Sequence, residues 1–411
     1  MHSRSSSLAL LGILGLGLAS CSGAPAPDAA PSSAASSSGD GHGAVAGAAE
    51  VAEPQLGLTT IDARGAVSHL DLLDESVADL GRVAPPSAVS TDGRYLFAQT
   101  DAGVEVVDSG VWTWDHVDHF HYYRADPRLL GVVAGEGPAV VATTNLSTSG
   151  STGVFFEGSG EAVLLDTEAL SRGEISERFR LDVAPHAGMV VPAGSYALVT
   201  EETDGAATSV TAYTQDGEPT GIEAPCPDAA GTLTTRVGAV IGCADGALLA
   251  SVVDDELQIE HVPYPAGTDA PPAVAFAQRE GRPTVAALAD PGRFWLLDTR
   301  ARTWTLLPAP APLVQVTAVD DEAGHVLALT TDGRMLVLSD VDGSVLAETV
   351  PLVARSLAEG AAPVLIADQQ RAYLSGPREK QLFEIDFADG ARTARTFDTA
   401  AEPTFVAETG R

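Results

Sequence analysis

The feature that most constrains this chain is a repeat of short hairpins. Runs of β-branched and apolar residues alternate with Gly/Asp turns, as in "GRYLFAQTDAGVEVVDSG", "GVFFEGSGEAVLLD", "GAVIGCADGALLASVVDD", "PTVAALADPGRFWLLDTR" and "HVLALTTDGRMLVLSDVDG". Each reads as strand, tight turn, strand. The units recur at roughly forty to fifty residues, the period of a propeller blade. Seven lie between about residues 84 and 398, and "GLTTIDARGAVSHLDL" (Gly57 to Leu72) makes a partial eighth. The C-terminal "EPTFVAE" supplies the strand this eighth unit lacks, and such pairing closes the ring and removes exposed edges. The expected fold is all-β: a single β-propeller over residues 55–411, with eight blades favoured over seven. A pair of β-sandwiches, the main competitor, does not explain the period.

The N-terminus reads differently. Arg4 precedes an apolar run, Leu8 to Leu18, that is too short and glycine-rich to span a bilayer. It ends in "LASC", which resembles a bacterial lipobox. Residues 1–20 are therefore expected to be a lipoprotein signal peptide, with lipid carried on Cys21. Residues 21–54, dominated by Ser, Ala, Gly and Pro, read as a disordered linker. The protein is expected on the outer face of the bacterial cytoplasmic membrane, held by the anchor alone. Cys226 and Cys243 then remain as a pair, and an oxidising exported setting suggests a disulfide. A charge of -33, from 56 acidic against 23 basic residues, excludes nucleic acid as a partner.

Chemistry concentrates in "WTWDHVDHFHYY", Trp112 to Tyr123, where three of the nine histidines fall within six residues. On a strand, side chains two apart share a face, so His119 and His121 point together. His116 joins them if "DHVD" turns, and Asp115 or Asp118 then serves as a ligand or as a partner that orients the rings. Three histidines and a carboxylate satisfy tetrahedral zinc. His186 in "APHAGM" opens an inner strand and is the candidate for a distant fourth histidine, although a lone histidine there is more often a hydrogen-bonded core residue. His69, His261 and His325 read as structural. There is no EF-hand spacing, no phosphate loop, no nucleophile elbow and no Ser/His/Asp set in the sequence.

"DSGVWTWDHVDHFHYY", with "APHAGMVVP", "CPDAAG" and "GCADG" in support, resembles the signature segments of the AztD-type zinc metallochaperones. That resemblance implies an exported β-propeller that hands zinc to the solute-binding protein of a zinc ABC transporter. It carries over His116, His119, His121 and His186 as the matching residues. The chain departs from the pattern where the family has further histidines: His42 alone stands for the N-terminal tract, Asp228-Ala229-Ala230 for one loop, and Val140 and Val141 for another.

The resulting expectation is a monomeric, membrane-tethered zinc-binding chaperone with no catalytic step. Two rivals are a lactonase-like propeller hydrolase with a channel metal, and a scaffold lipoprotein whose metal site is degenerate. The histidine-rich segment fits an oxygen-preferring calcium centre poorly, which weakens the first rival. The missing family histidines make the scaffold the stronger one.

Overall fold

In the computed structural model, the structure describes residues 43–115 and 119–411, within the compact unit Gly41–Arg411. Cys21 and the export segment lie outside the described residues, as do His116 and Asp118. The described chain is all-β, with two five-residue helices, Thr167–Ser171 and Ala354–Ala358.

Eight antiparallel meander sheets follow one another along the chain. Their middle strands bury both faces, as in "YLFAQT" (Tyr95–Thr100) and "EAVLLD" (Glu161–Asp166), whereas outer strands such as Val77–Arg82 are largely exposed. This is why the middle strands read as continuous apolar runs rather than as alternation. Neighbouring sheets share cores: Tyr95, Phe97, Val104 and Val106 pack with Val154, Phe156, Val163 and Leu165 of the next sheet.

The expected closure by the C-terminal segment is present. Phe405–Thr409 pairs antiparallel with Gly57–Ile61, with Gly57 opposite Thr409 and Ile61 opposite Phe405. A buried polar latch locks this register. Thr59 Oγ1 lies 3.0 Å from Thr409 Oγ1 and 2.9 Å from His69 Nδ1. His69 is thus structural, as read from sequence, and burial holds its pKa below the ordinary value.

Cys226 follows the outer strand Pro219–Pro225, and Cys243 ends the strand Ala239–Cys243 of the next sheet. The two form a disulfide that ties these neighbouring sheets.

Two features depart from the sequence reading. The expected linker, 21–54, gives way to structure before its end, because Ala49–Val51 forms a strand. Its partner belongs to a ninth sheet, of three strands, that stands outside the meander pattern: Ala49–Val51, Phe120–Arg124 and Val111–Asp115. The hairpin Val111–Asp115/Phe120–Arg124 is inserted between the third strand of the second sheet, Gly103–Asp108, and its outer strand, Arg128–Ala134.

Candidate metal centre

The inserted hairpin carries the histidine segment, and its base is rigidly held. Arg94 is fully buried and binds Asp108 through both Nε and Nη2, each at 2.9 Å. Its guanidinium carbon lies 3.7 Å from the Trp112 ring centroid, and Trp112 stacks on Tyr123 at 5.3 Å. A guanidinium sandwiched in this way gains both a bidentate ion pair and a cation–π contact. The chain enters the hairpin at Gly110, whose φ of +79° favours glycine, and a Cβ there would sit 2.4 Å from the Ala125 carbonyl oxygen. Trp112 Nε1 donates to the Gly43 carbonyl at 3.1 Å, Thr113 Oγ1 to the Gly410 carbonyl at 2.7 Å, and Arg124 to Asp71 at 3.1 Å. The hairpin is thereby pinned to the N-terminal segment, the C-terminal strand and the first sheet.

Strand pairing then fixes which side chains meet. Trp114 stands opposite His121, and Asp115 opposite Phe120. Residues directly opposite share a face, so Trp112, Trp114, His121 and Tyr123 lie on one side and Thr113, Asp115, Phe120 and Tyr122 on the other. His119 has the parity of His121, and the structure brings the two together, Nε2 to Nε2 at 2.9 Å. His121 is held from behind. Its Nδ1 lies 2.7 Å from Glu50 Oε1, and its ring stacks on Tyr123 at 6.4 Å.

These contacts constrain which ring nitrogen faces which partner. A carboxylate can only accept, so His121 Nδ1 carries the proton and donates it to Glu50. With His121 as a neutral ring, its Nε2 is the acceptor, and the 2.9 Å contact then takes the proton from His119 Nε2. Loss of that one proton, or a tautomer change at His119, aims two lone pairs at one point. Two imidazoles on a tetrahedral zinc would have their nitrogens roughly 3.3–3.4 Å apart, from Zn–N bonds of about 2.0–2.1 Å. The observed separation needs only a small opening to admit the ion. A histidine ligand whose other nitrogen donates to a carboxylate is the usual support of a metal site.

Glu50 is the residue that sequence reading missed. It sits in "GAAEVAEP", at the end of the low-complexity stretch, and pairs opposite Tyr123 through the strand Ala49–Val51. Nothing in its sequence neighbourhood marks it. Only the three-residue strand pairing carries it to the hairpin.

Other expected ligands fall elsewhere. Asp115 lies on the face of the hairpin opposite the histidine pair, because the alternation that unites His119 and His121 turns Asp115 away. His186 is not part of the cluster. It is buried, its Nδ1–H donates to the Ala184 carbonyl at 2.7 Å, its Nε2 accepts from Thr200 Oγ1 at 2.9 Å, and Phe155 packs edge-on at 4.8 Å. Both ring nitrogens are used by the fold, which leaves no lone pair for a metal. Among the described residues no three His, Cys, Asp or Glu side chains converge on one metal position. The described donor set is therefore the His119–His121 pair with Glu50 behind it. His261 and His325 pair with Asp245 and Asp321 at 3.1 and 2.6 Å, as structural residues would.

No protein-family model matches the chain. In sequence it is similar to the zinc chaperone AztD of Citrobacter koseri, at 24% identity over 342 residues, covering 80% of each chain. In structure it is similar to the crystal structure of Citrobacter koseri AztD, with a TM-score of 0.74 and 21% identity over 87% of this chain and 98% of that one. The apo form of the same protein gives a TM-score of 0.74 at 20% identity. The resemblance to the AztD-type chaperones read from the histidine segment is thus borne out as a similarity that extends over most of the chain. The relative is named as a chaperone and not as an enzyme, in line with a protein that binds without making or breaking bonds.

Proposed function

We propose that this protein is an extracytoplasmic zinc chaperone, tethered by lipid on Cys21 to the outer face of the bacterial cytoplasmic membrane. It passes zinc to the solute-binding protein of a zinc ABC transporter. The observation that carries the reading is the paired Nε2 atoms of His119 and His121, 2.9 Å apart, with Glu50 fixing the tautomer of His121. The relative named as a zinc chaperone supports the choice of metal and of role. Zinc is the cargo. Imidazole nitrogen suits it, and neutral imidazoles release it by ligand exchange more readily than a closed thiolate cage would. His116 and Asp118, next to the pair in sequence, supply the remaining donors in this reading. His119 is exposed, which leaves it accessible to an acceptor's ligands, as transfer requires. The surplus of acidic groups draws cations toward the protein.

A second reading, a non-catalytic scaffold lipoprotein with a degenerate metal site, is favoured by the residues that stand where the resembled family has further histidines: Asp228-Ala229-Ala230 in one loop, and Val140 and Val141 in another. A competitive zinc titration separates the readings. The chaperone reading expects His116, His119 and His121→Ala to abolish a tight zinc site, and His119, His121→Ala to weaken it severely. Equal zinc affinity in the unaltered and triply substituted proteins sinks the chaperone reading.

A further inference from the structure

The opposite face of the site hairpin walls a separate pocket. Thr113, Asp115, Phe120 and Tyr122, together with the intervening Trp114, line a cavity of about 460 Å³ whose lining also includes Arg236, Arg279, Arg282 and Arg411. A chain with 23 basic against 56 acidic residues has few cations to spend, so four guanidiniums on one cavity call for an explanation.

Two of the four are neutralised by the fold. Arg411 is neutralised by Asp368 at 2.5 Å, and Glu408, which burial pushes toward its neutral form, lies 2.6 Å from it. Arg282 pairs with Asp320 at 3.1 Å and donates to its carbonyl at 2.9 Å. The other two have no carboxylate within ion-pair distance among the described residues. Arg236, exposed at the rim, donates through Nε to the Gly281 carbonyl at 3.2 Å. Arg279 is only 9% exposed, and its side chain has one long hydrogen bond, 3.5 Å to the Asp320 carbonyl. The acids facing the pocket do not fill the gap. Asp368 belongs to Arg411, Glu280 is half-buried and pushed toward its neutral form by desolvation, and Asp115 sits at the end of the strand Val111–Asp115. Burial, with Arg282 and Arg411 nearby, also disfavours the charge on Arg279, yet a guanidinium does not give up its proton in a protein. A buried charge of this kind is costly unless it is paired.

A planar fork of N–H donors matches a carboxylate bidentately. Two such forks, one deep and one at the rim, match an anion with more than one carboxylate, and the volume suits a small molecule. We propose that this pocket binds a small di- or tricarboxylate, with Arg279 as the buried anchor and Arg236 as the rim contact. This site is independent of the histidine pair, which faces away from it, and does not rest on the zinc reading.

Calorimetric titration of the metal-free, full-length protein with tricarballylate, and separately with inorganic phosphate, tests it. Saturable tricarballylate binding is expected, weakened at least about tenfold in Arg279→Gln and severalfold in Arg236→Gln, with phosphate weaker than tricarballylate. Arg236 is exposed, so its variant keeps the test valid should Arg279→Gln fail to fold. Zinc affinity is expected to be unchanged in Arg236→Gln. No saturable tricarballylate binding, or affinity unchanged in the Arg236 variant or in a folded Arg279 variant, overturns the site. Tighter binding of phosphate than of tricarballylate overturns the ligand class.

Discussion

Replacing Glu50 isolates the one contact that sequence reading did not supply. Its carboxylate lies 2.7 Å from His121 Nδ1, with the Glu50 side chain 58% exposed and that of His121 18% exposed. A carboxylate behind a histidine ligand is typically worth 10–100-fold in metal affinity, or about 1.4–2.7 kcal/mol. Water competes for an exposed carboxylate and screens it, which places Glu50→Ala at the lower end, about tenfold weaker zinc binding. Glu50→Gln keeps an acceptor for the Nδ1–H but loses the charge. Neutral hydrogen bonds are about half as strong as charge-assisted ones, so roughly threefold is expected. Glu50 lies on an exposed three-residue edge strand, and fold stability should change by no more than about 0.5 kcal/mol. Zinc competition against a chelator of known affinity, run beside urea unfolding of each variant, reads both quantities. Wild-type zinc affinity in Glu50→Ala, or a larger loss in Gln than in Ala, would refute the reasoning that Glu50 orients His121.

Other consequences reach the frame around the site. Asp108→Asn strips the fully buried Arg94 of its ionised partner and is expected to cost about 3–5 kcal/mol in urea unfolding. Reducing the Cys226–Cys243 disulfide, whose cysteines are 17 residues apart, is expected to cost about 2–4 kcal/mol, measured by thermal unfolding with and without reductant. Burial pushes Glu408 up to about 8 and Asp92 up to about 7, so the folded state holds protons that the unfolded chain has released above the ordinary carboxylate range. Stability from these two acids is complete below about pH 4 and is lost as pH rises, through about 7 for Asp92 and about 8 for Glu408. His69, lowered by burial, acts oppositely and only below its ordinary value of 6.5, which leaves pH 6.5–8 as the clean window. The melting temperature should fall across that window and fall less steeply in Glu408→Gln; a rise in the unaltered protein would contradict the assignment.

The fold was legible because its signals are local and repeated. Tight turns flanked by runs such as "YLFAQT" mark each hairpin, and the unmatched strand in "EPTFVAE" finds its place beside Gly57–Ile61 through simple strand bookkeeping. The His119–His121 pair was legible for the same reason, since strand parity alone unites residues two apart. Parity equally turns Asp115 away, but only the observed register, with Asp115 opposite Phe120, shows that the strand continues that far. His186 looked like a ligand by position, and its use by Ala184 and Thr200 depends on a loop conformation that spacing does not encode. Glu50 and the four arginines were hidden by distance along the chain: residue 50 meets residue 121, and residues 236, 279, 282 and 411 line one cavity. Such convergence is set by tertiary packing, which no local pattern records.

In the proposed chaperone, zinc sits between His119 and His121. An anomalous difference map at the zinc absorption edge, from crystals of the full-length protein soaked in zinc, tests it most directly. A peak is expected about 2.0–2.1 Å from both Nε2 atoms, with Glu50 still bonded to His121 Nδ1. An occupied zinc peak elsewhere on the protein, with none between these two nitrogens, would contradict it.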